Sequence, residues 1–231
     1  MYGGFDLKLE LLEKISETED VVSFIFKPLE SLEWKAGQFV YYKIPHENPD
    51  NRGIIRHFTI ASAPHEKHIR LTTRFFYEGG SSFKKALNSL EIGSYVDTFE
   101  IEGSFTVNDH KTKYIFIAGG IGITPFRSIL LDLSNKGKIE DIILFYGSRD
   151  ENIVFENDFN EIALKNPAFK IHNIISPDRI DIDILREKVP DLFERKCYIS
   201  GPMVMIKSVE ECLIELGISP DVIKTDYFSG Y

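Results

Sequence analysis

The sequence predicts two domains of different fold class, an antiparallel β-barrel followed by an α/β domain with a parallel sheet. The chain has 231 residues, a length that suits two modest domains. Up to about residue 108, short β-rich runs alternate with turn residues. Beyond the polar stretch NDHKTK, apolar runs that end in Gly or Ser alternate with helical patterns. We therefore place the two domains at 1–109 and 110–231.

The first domain is predicted from six short runs that Gly, Pro, Asn and Asp residues separate. These runs are LKLELLEKI, VVSFIF, QFVYYKI, HFTIASA, IRLTTRFF and YVDTFEI. Several short strands at this spacing are typical of a small closed antiparallel barrel. One helix interrupts them: in SSFKKALNSL, Ser81 or Ser82 can cap the first turn, and Phe83, Leu87 and Leu90 fall at helical spacing.

The second domain is predicted from four apolar strands, KYIFIAGG, DIILFYGS, FKIHNIIS and KCYISG. Helical patterns connect them and also follow the last one: TPFRSILLDLSNK, FENDFNEIALK, DIDILREKV and PMVMIKSVEECLIEL. Alternating strands and helices indicate a parallel sheet with crossover helices, as in Rossmann-like folds.

Charge and composition exclude several classes of function. The net charge of −9 disfavours nucleic-acid partners and anionic membrane surfaces. No apolar run is long enough for membrane insertion, and the N-terminus does not resemble a signal peptide. Cys197 and Cys212 form no CxxC pair, and the six histidines show no ligand spacing, so we expect no metal site. Two reduced cysteines without a secretory signal favour a cytoplasmic location.

The segment IAGGIGITP, at 117–125, is the strongest local signal. Its glycines let a diphosphate approach the backbone, and the following helix offers free N–H groups and a positive dipole end. Thr124 suits the N-cap and Pro125 the first helical position. A tight strand-to-helix turn without a ligand is the alternative.

Arg56-His57-Phe58-Thr59 forms a second candidate site within a strand. Alternation places Arg56 and Phe58 on one face and His57 and Thr59 on the other. The guanidinium offers a planar fork for a phosphate, the phenyl ring an aromatic face and the hydroxyl a donor or acceptor. Alone, the same residues would fit an ordinary edge strand.

Two further segments combine small residues with the start of a helix. YEGGSSF, at 77–83, can hold a phosphate at the helix N-terminus, although a simple capped helix explains it equally well. YISGPMVM, at 198–205, ends a predicted parallel strand, and ligands bind outside the carboxyl ends of such strands. A tight turn is its alternative.

Together and in this order, the four segments resemble the motifs of the ferredoxin–NADP reductase superfamily of flavin oxidoreductases. Its R-x-[YF]-[ST] motif matches 56–59, its G-x-[ST] segment matches 79–82, and its G-G-x-G-x-[ST]-P motif matches 119–125. Its C-G-P-x-x-M motif matches 200–205, with Ser200 in place of the cysteine. The resemblance covers roughly residues 5–231.

The resemblance implies that the barrel binds FAD. Arg56 would neutralise the diphosphate, Phe58 would pack on the isoalloxazine, and Thr59 would bond near flavin N5. Thr73 and Arg74 would lie at the phosphoribityl part. The remaining residues implied in FAD binding are His57 within the strand motif and Gly80, Ser81 and Ser82 at the diphosphate.

It also implies a nicotinamide dinucleotide site in the second domain. Ser200 would lie near the transferred hydride, and Ser148 with Arg149 would contact the adenosine ribose. The other implied residues are Gly120, Ile121, Gly122, Ile123, Thr124 and Pro125 around the phosphates, and Gly201, Pro202 and Met203 after the fourth strand.

The C-terminal segment IKTDYFSGY is unusually aromatic for a tail. The family often ends with an aromatic ring over the flavin and an acidic residue nearby. Phe228 or Tyr231 would be that ring, and Asp226 the acidic residue. A final strand with a packed tail is the alternative.

The resemblance implies an FAD-dependent NAD(P)H oxidoreductase that passes electrons to a separate redox protein, such as a ferredoxin, a flavodoxin or an oxygenase component. The acceptor must be separate because the chain lacks cysteines for an iron–sulfur cluster. Ser148-Arg149 favours NADPH over NADH. The alternatives are an NAD(P)H:free-flavin reductase, a non-catalytic flavin electron-transfer subunit of a larger complex, and a module without a cofactor.

Overall fold

The chain packs into two compact units, Met1–Thr106 and Val107–Tyr231. The computed structural model describes residues 7–76, 80–109, 111–139 and 141–227. Whether the chain divides into independently folding domains at 109–110 stays a prediction.

The first unit is a six-stranded antiparallel sheet with one helix, which confirms the predicted fold class of this half. The strand order is β4-β3-β6-β1-β2-β5. The elements are β1 (Leu7–Ser16), β2 (Val21–Pro28), β3 (Phe39–Lys43), β4 (Ile55–Thr59), β5 (Ile69–Arg74), α1 (Ser82–Ser89) and β6 (Tyr95–Glu102).

The sheet is a half-barrel rather than the fully closed barrel that the strand spacing suggests. Among the described residues, no ladder joins the edge strands β4 and β5. They approach at one end, where Ala61 N donates to Arg70 O at 2.8 Å. The connection between the two strands contains a short 3-10 turn that begins at Pro64.

Aromatic residues fill the core of the half-barrel. Phe24, Phe26 and Tyr42 are fully buried on its inner face, and Phe83 and Leu87 of α1 cover them. Burial of one such side chain contributes about 1.5–3 kcal/mol, so this contact holds α1 firmly against the sheet.

The second unit is a five-stranded parallel sheet of order β11-β10-β7-β8-β9, which confirms the predicted α/β half. The elements are β7 (Lys113–Gly119), α2 (Thr124–Asn135), β8 (Ile142–Ser148), α3 (Glu156–Lys165), β9 (Phe169–Ile175), α4 (Ile182–Lys188), β10 (Arg195–Gly201), α5 (Met203–Glu215) and β11 (Ile223–Tyr227). No helix in the described part of the chain is long and apolar enough to cross a membrane.

The order of strands reverses between β7 and β10. From β7 the chain proceeds through β8 to β9, and α4 then returns it to β10 on the other side of β7. In open parallel sheets, ligands bind outside the carboxyl ends of the strands at such a switch point. The loops after β7 and β10 meet here.

Candidate functional site

Strand β4 presents the Arg56–Thr59 segment with the alternation expected from the sequence. Its antiparallel ladder with β3 runs without a register shift, so that Arg56 pairs with Tyr42 and Phe58 with Val40. Arg56 and Phe58 therefore share the inner face. Thr59 is buried, with 6% of its surface exposed.

The two aromatic rings of this segment pack in different places. Phe58 is only 8% exposed, and its ring centroid lies 5.8 Å from Phe83 and 6.0 Å from Tyr42. His57 faces outward, 4.9 Å from Phe39 and 5.5 Å from Tyr41, and partial burial lowers its pKa. Because core residues surround Phe58, its packing on the isoalloxazine stays a prediction.

The start of α1 is capped by a residue predicted for that role. Ser81 Oγ accepts a hydrogen bond from Lys84 N at 3.1 Å. The next residue, Ser82, contacts the loop between β3 and β4: its N–H donates to Asp50 Oδ2 at 3.0 Å, and its Oγ accepts from Asp50 N at 2.9 Å. The helix N-terminus thus already holds a carboxylate, an anion of the kind that it stabilises.

The guanidinium of Arg56 points to the same carboxylate. Its Nη2 lies 3.2 Å from Asp50 Oδ1, while Nη1 donates to the carbonyls of Arg52 and Ile55. The ring of Phe83 lies beneath it, with the guanidinium carbon 5.7 Å from the ring centroid. The predicted anion ligands Arg56 and Ser82 are therefore brought together by the fold.

Asp50, Arg52 and His46 belong to this cluster, although the sequence did not mark them. Arg52 donates to Asp50 through its backbone N and its side chain, and these bonds hold the pKa of Asp50 well below its usual range. His46 Nδ1 donates to Ile44 O at 2.8 Å, so in the neutral ring Nε2 accepts from Ser82 Oγ at 3.0 Å. The segment HENPDNRG resembles an ordinary turn and carries no motif that marks these residues.

A cleft of about 670 Å³ lies beside this cluster. It is lined by charged and polar residues of the β3–β4 loop and by one side of α1. The lining residues include Asp50, Arg52, Gly80, Ser82 and Lys85. A cleft with two cationic side chains next to a helix N-terminus suits a phosphorylated ligand.

Thr73 and Arg74, at the end of β5, lie on the other flank of α1. Thr73 Oγ1 is buried and has no hydrogen-bond partner among the described residues. Arg74 Nε lies 3.4 Å from Asp20, and its carbonyl accepts from Lys84 Nζ at 2.9 Å; burial lowers the pKa of that lysine to about 8. An unpaired buried hydroxyl is costly, so a ligand contact at Thr73 fits the chemistry.

At the switch point, a 3-10 turn over Gly120–Ile123 connects β7 to α2. The expectation that Thr124 caps α2 is wrong: the residue before the helix is Ile123, in helical conformation, and Thr124 lies inside. Because the 3-10 turn runs directly into the helix, Thr124 Oγ1 donates back to Ile121 O at 3.0 Å instead. Pro125 lies in the first turn of α2, where its lack of a backbone N–H costs no helix hydrogen bond.

Gly122 and Gly120 of this loop are required to be glycine for different physical reasons. A Cβ on Gly122 would lie 2.2 Å from Ser200 O, so this glycine lets the loops after β7 and β10 touch. A Cβ on Gly120 would meet nothing within 4 Å, but its φ of +51° favours glycine. The backbone around Gly120 therefore has open space in front of it, as a diphosphate site requires.

Strand β10 ends in the remaining candidate residues. Ser200 is fully buried, and its Oγ has no hydrogen-bond partner among the described residues. Gly201, with φ +154°, and Pro202, which precedes the first turn of α5, redirect the chain, and Met203 is exposed. Asp226 in β11 pairs in register with Ser200, and burial raises its pKa to about 6.

The two residues predicted to contact the adenosine ribose lie at the end of β8. Ser148 is the last residue of β8, and the exposed Arg149 follows it.

The C-terminal aromatic residues Phe228 and Tyr231 lie outside the described residues, whereas β11 is the final strand that the sequence left as an alternative. No group of three or more potential metal ligands occurs in the part of the chain that the structure describes.

Two family models match the two units. The model of the oxidoreductase FAD-binding domain matches residues 6–106, and that of the oxidoreductase NAD-binding domain matches residues 116–211. The chain thus combines a flavin-binding unit with a nicotinamide-nucleotide-binding unit, as oxidoreductases of this class do. The antiparallel half-barrel and the parallel sheet fit the same class.

Known proteins resemble the chain over most of its length. It is 30% identical to the phenol hydroxylase P5 protein of Acinetobacter pittii, over 85% of this chain and 58% of that protein. It is 24% identical to the ferredoxin reductase component of the 3-ketosteroid-9-alpha-monooxygenase of Mycolicibacterium smegmatis, over 99% of this chain and 67% of that protein. The chain therefore spans about three fifths to two thirds of these relatives.

Solved structures share the fold. The FAD/NAD-binding domain of the Vibrio cholerae nitric oxide dioxygenase superposes with a TM-score of 0.85 at 19% identity, over 96% of this chain and 98% of that one. Ferredoxin-NADP+ reductase of Plasmodium falciparum superposes with a TM-score of 0.83 at 18% identity, over 99% and 98%. The chain therefore joins the two oxidoreductase domain families that match it, the FAD-binding and the NAD-binding domain, and it shares the fold of ferredoxin-NADP+ reductase.

Proposed function

We propose that the protein oxidises NAD(P)H through bound FAD and passes the electrons to a separate redox protein. One observation carries the cofactor part: the Arg56 guanidinium and the N-terminus of α1 converge on one anionic group, the Asp50 carboxylate, at 3.2 and 3.0 Å. In the functional protein, a phosphate of FAD takes the place of that carboxylate between the two groups.

The residues of the half-barrel bind and orient the cofactor. Arg56 supplies the charge, and Ser82 N and the Ser81 cap supply the helix end; Thr73 donates its unpaired hydroxyl to the phosphoribityl chain. Thr59 bonds near flavin N5. Bound FAD supplies the hydride acceptor, a chemistry that side chains alone do not provide.

The residues at the switch point bind the nicotinamide dinucleotide. The backbone from Gly120 to Thr124 holds its phosphates, and Ser148 with Arg149 contacts the adenosine ribose. Ser200 and Asp226 lie near the nicotinamide, where a buried hydroxyl without a partner is available to the ring. None of these groups needs to exchange a proton with the substrate during hydride transfer.

The acceptor is a ferredoxin, a flavodoxin or an oxygenase component in the cytoplasm. Two relatives support this part of the proposal, because each is named as a reductase component of a monooxygenase, one from Mycolicibacterium smegmatis and one of a propane 2-monooxygenase from Rhodococcus jostii.

An absorption spectrum of the purified protein followed by anaerobic titration with NADH and NADPH tests this function. We expect flavin bands that persist through gel filtration and that bleach with one nicotinamide equivalent. Flavin lost on the column, with activity on added flavin, would identify a free-flavin reductase instead. Bound FAD that no nicotinamide bleaches would identify a non-catalytic subunit, and a protein that stays colourless with added FAD would contradict the proposal entirely.

A further inference from the structure

Asp50 lies where the diphosphate of FAD is expected. Its Oδ2 accepts from Ser82 N at 3.0 Å, at the N-terminus of α1, and its Oδ1 lies 3.2 Å from Arg56 Nη2. Both partners are the groups that the proposed function assigns to the diphosphate. The carboxylate is 27% exposed and the Arg56 side chain 19%, so the contact is partly shielded from water.

The contact takes up the Ser82 N–H and one N–H of Arg56 Nη2, two of the donors that the proposed function assigns to a phosphate. Arg56 Nη1 already donates to the carbonyls of Arg52 and Ile55, and Nη2 is directed at Asp50. A phosphate that bonded Nη2 with one oxygen and Ser82 N with another would coincide with the Asp50 carboxylate. Two anions in one place repel each other, so the carboxylate and the phosphate exclude each other.

The β3–β4 loop is anchored to α1 through a backbone atom of Asp50, while the Asp50 carboxylate also accepts bonds from Arg52 within the loop. Asp50 N donates to Ser82 Oγ at 2.9 Å, and Ser82 Oγ also bonds His46 Nε2 at 3.0 Å. These bonds use the backbone of Asp50 and not its side chain. A rotation of the side chain therefore releases Arg56 and Ser82 N without detaching the loop from α1, and it also breaks or shifts the bonds from Arg52.

We propose that Asp50 is an internal substitute for a phosphate of FAD, which holds the diphosphate site in the apoprotein and is displaced when the cofactor binds. The inference rests on the proposed FAD binding by Arg56 and Ser82. Without a ligand, Arg56 and the positive end of α1 would face each other uncompensated, and the carboxylate neutralises both. Its displacement opposes FAD binding, so Asp50 weakens the affinity while it stabilises the apoprotein.

The variant Asp50→Asn tests this, because the amide has the same size and no charge. In deflavinated full-length protein, titration with FAD followed by flavin fluorescence should give a Kd about tenfold lower than in the parent. The melting temperature of the apoprotein should fall, since an exposed helix end and Arg56 lose their counter-charge. Glu17→Gln is the matched control: it removes a carboxylate that pairs with Arg70 in the same unit and should leave the FAD Kd unchanged.

Inorganic pyrophosphate serves as a second probe, because it lacks the flavin ring. It should raise the melting temperature of apo Asp50→Asn more than that of the parent. Asp50→Ser, which keeps an oxygen to accept from Ser82 N, gives the same test should the asparagine variant not fold. An FAD Kd of the Asp50 variant that is unchanged or raised would overturn the inference. A raised Kd would identify Asp50 as a residue that positions Arg56. A parent protein that binds no FAD would overturn the proposed function as well, which distinguishes the two failures.

Discussion

Ser200 and Asp226 are direct partners in the parallel ladder between β10 and β11. Register partners project to the same face of a sheet, so a buried hydroxyl without a partner and a carboxyl of raised pKa lie side by side at the carboxyl ends of these strands. The pair contains no cation, and burial alone raises the pKa of Asp226 to about 6. Its ionisation therefore falls within an accessible pH range.

We predict that Asp226 makes the stability of the protein depend on pH. Its pKa is higher in the folded state, about 6, than the ordinary value of 3.8, so the neutral form is favoured on folding. That contribution is fully present below about pH 4 and is lost as the pH rises through 6. Asp226→Asn should therefore gain melting temperature relative to the parent between pH 4.5 and 7.5. Asp221→Asn, in the exposed turn before β11, is the control, and a difference independent of pH would contradict the assignment.

Arg56→Ala should weaken FAD binding by roughly ten- to a hundredfold. The variant loses a charge-assisted contact of about 1.5–3 kcal/mol. Arg56→Lys keeps the charge without the planar fork, so its Kd should lie between those of the parent and the alanine variant. Titration of the three apoproteins with FAD measures the effect. An alanine variant that binds FAD as the parent does would remove Arg56 from the cofactor site.

Gly122→Ala should destabilise the second unit more than Gly120→Ala does. The new Cβ at Gly122 would lie 2.2 Å from Ser200 O, and the backbone of β10 cannot yield easily; overpacking of this kind costs about 1–3 kcal/mol. At Gly120 the space is open, and the positive φ alone costs about 1 kcal/mol. Urea unfolding of both variants compares them. Equal losses would show that the two loops can separate without cost.

The sequence predicted the elements well because their signals are local. Alternation in β4 placed Arg56 and Phe58 on one face, and the capping serine of α1 followed from its position before an amphipathic run. The N-cap at Thr124 was mispredicted because a 3-10 turn and a helix share the same local sequence preferences. Asp50 could not be found, since its contact with Ser82 joins positions 32 residues apart and leaves no periodic signal.

Removal of residues 228–231 should tighten nicotinamide binding and change the flavin spectrum. This prediction rests on the sequence, in which Phe228 and Tyr231 are the rings expected to cover the flavin. A covering ring must leave before a nicotinamide can bind, so it opposes binding. Titration of the truncated and parent proteins with NADP+ or NAD+, followed by difference spectra, measures both effects. If neither changes, the tail only packs on the surface.

We predict that NADPH is the preferred substrate and that Arg149 is the reason. Arg149 directly follows β8, whose carboxyl end lies in the sheet beside that of β7, and a 2′-phosphate requires a cation and a hydroxyl such as that of Ser148. The neighbouring Asp150 would repel a phosphate, but one of its carboxylate oxygens accepts from Asn152 N at 2.9 Å and so is held by its own loop. A charge-assisted contact contributes about 1.5–3 kcal/mol, so kcat/KM should favour NADPH by at least about tenfold. Arg149→Ala should abolish that preference while leaving kcat/KM for NADH within about twofold. Steady-state kinetics with both nucleotides decides: a parent that prefers NADH, or a variant that loses both activities equally, would show that Arg149 does not contact the 2′-phosphate.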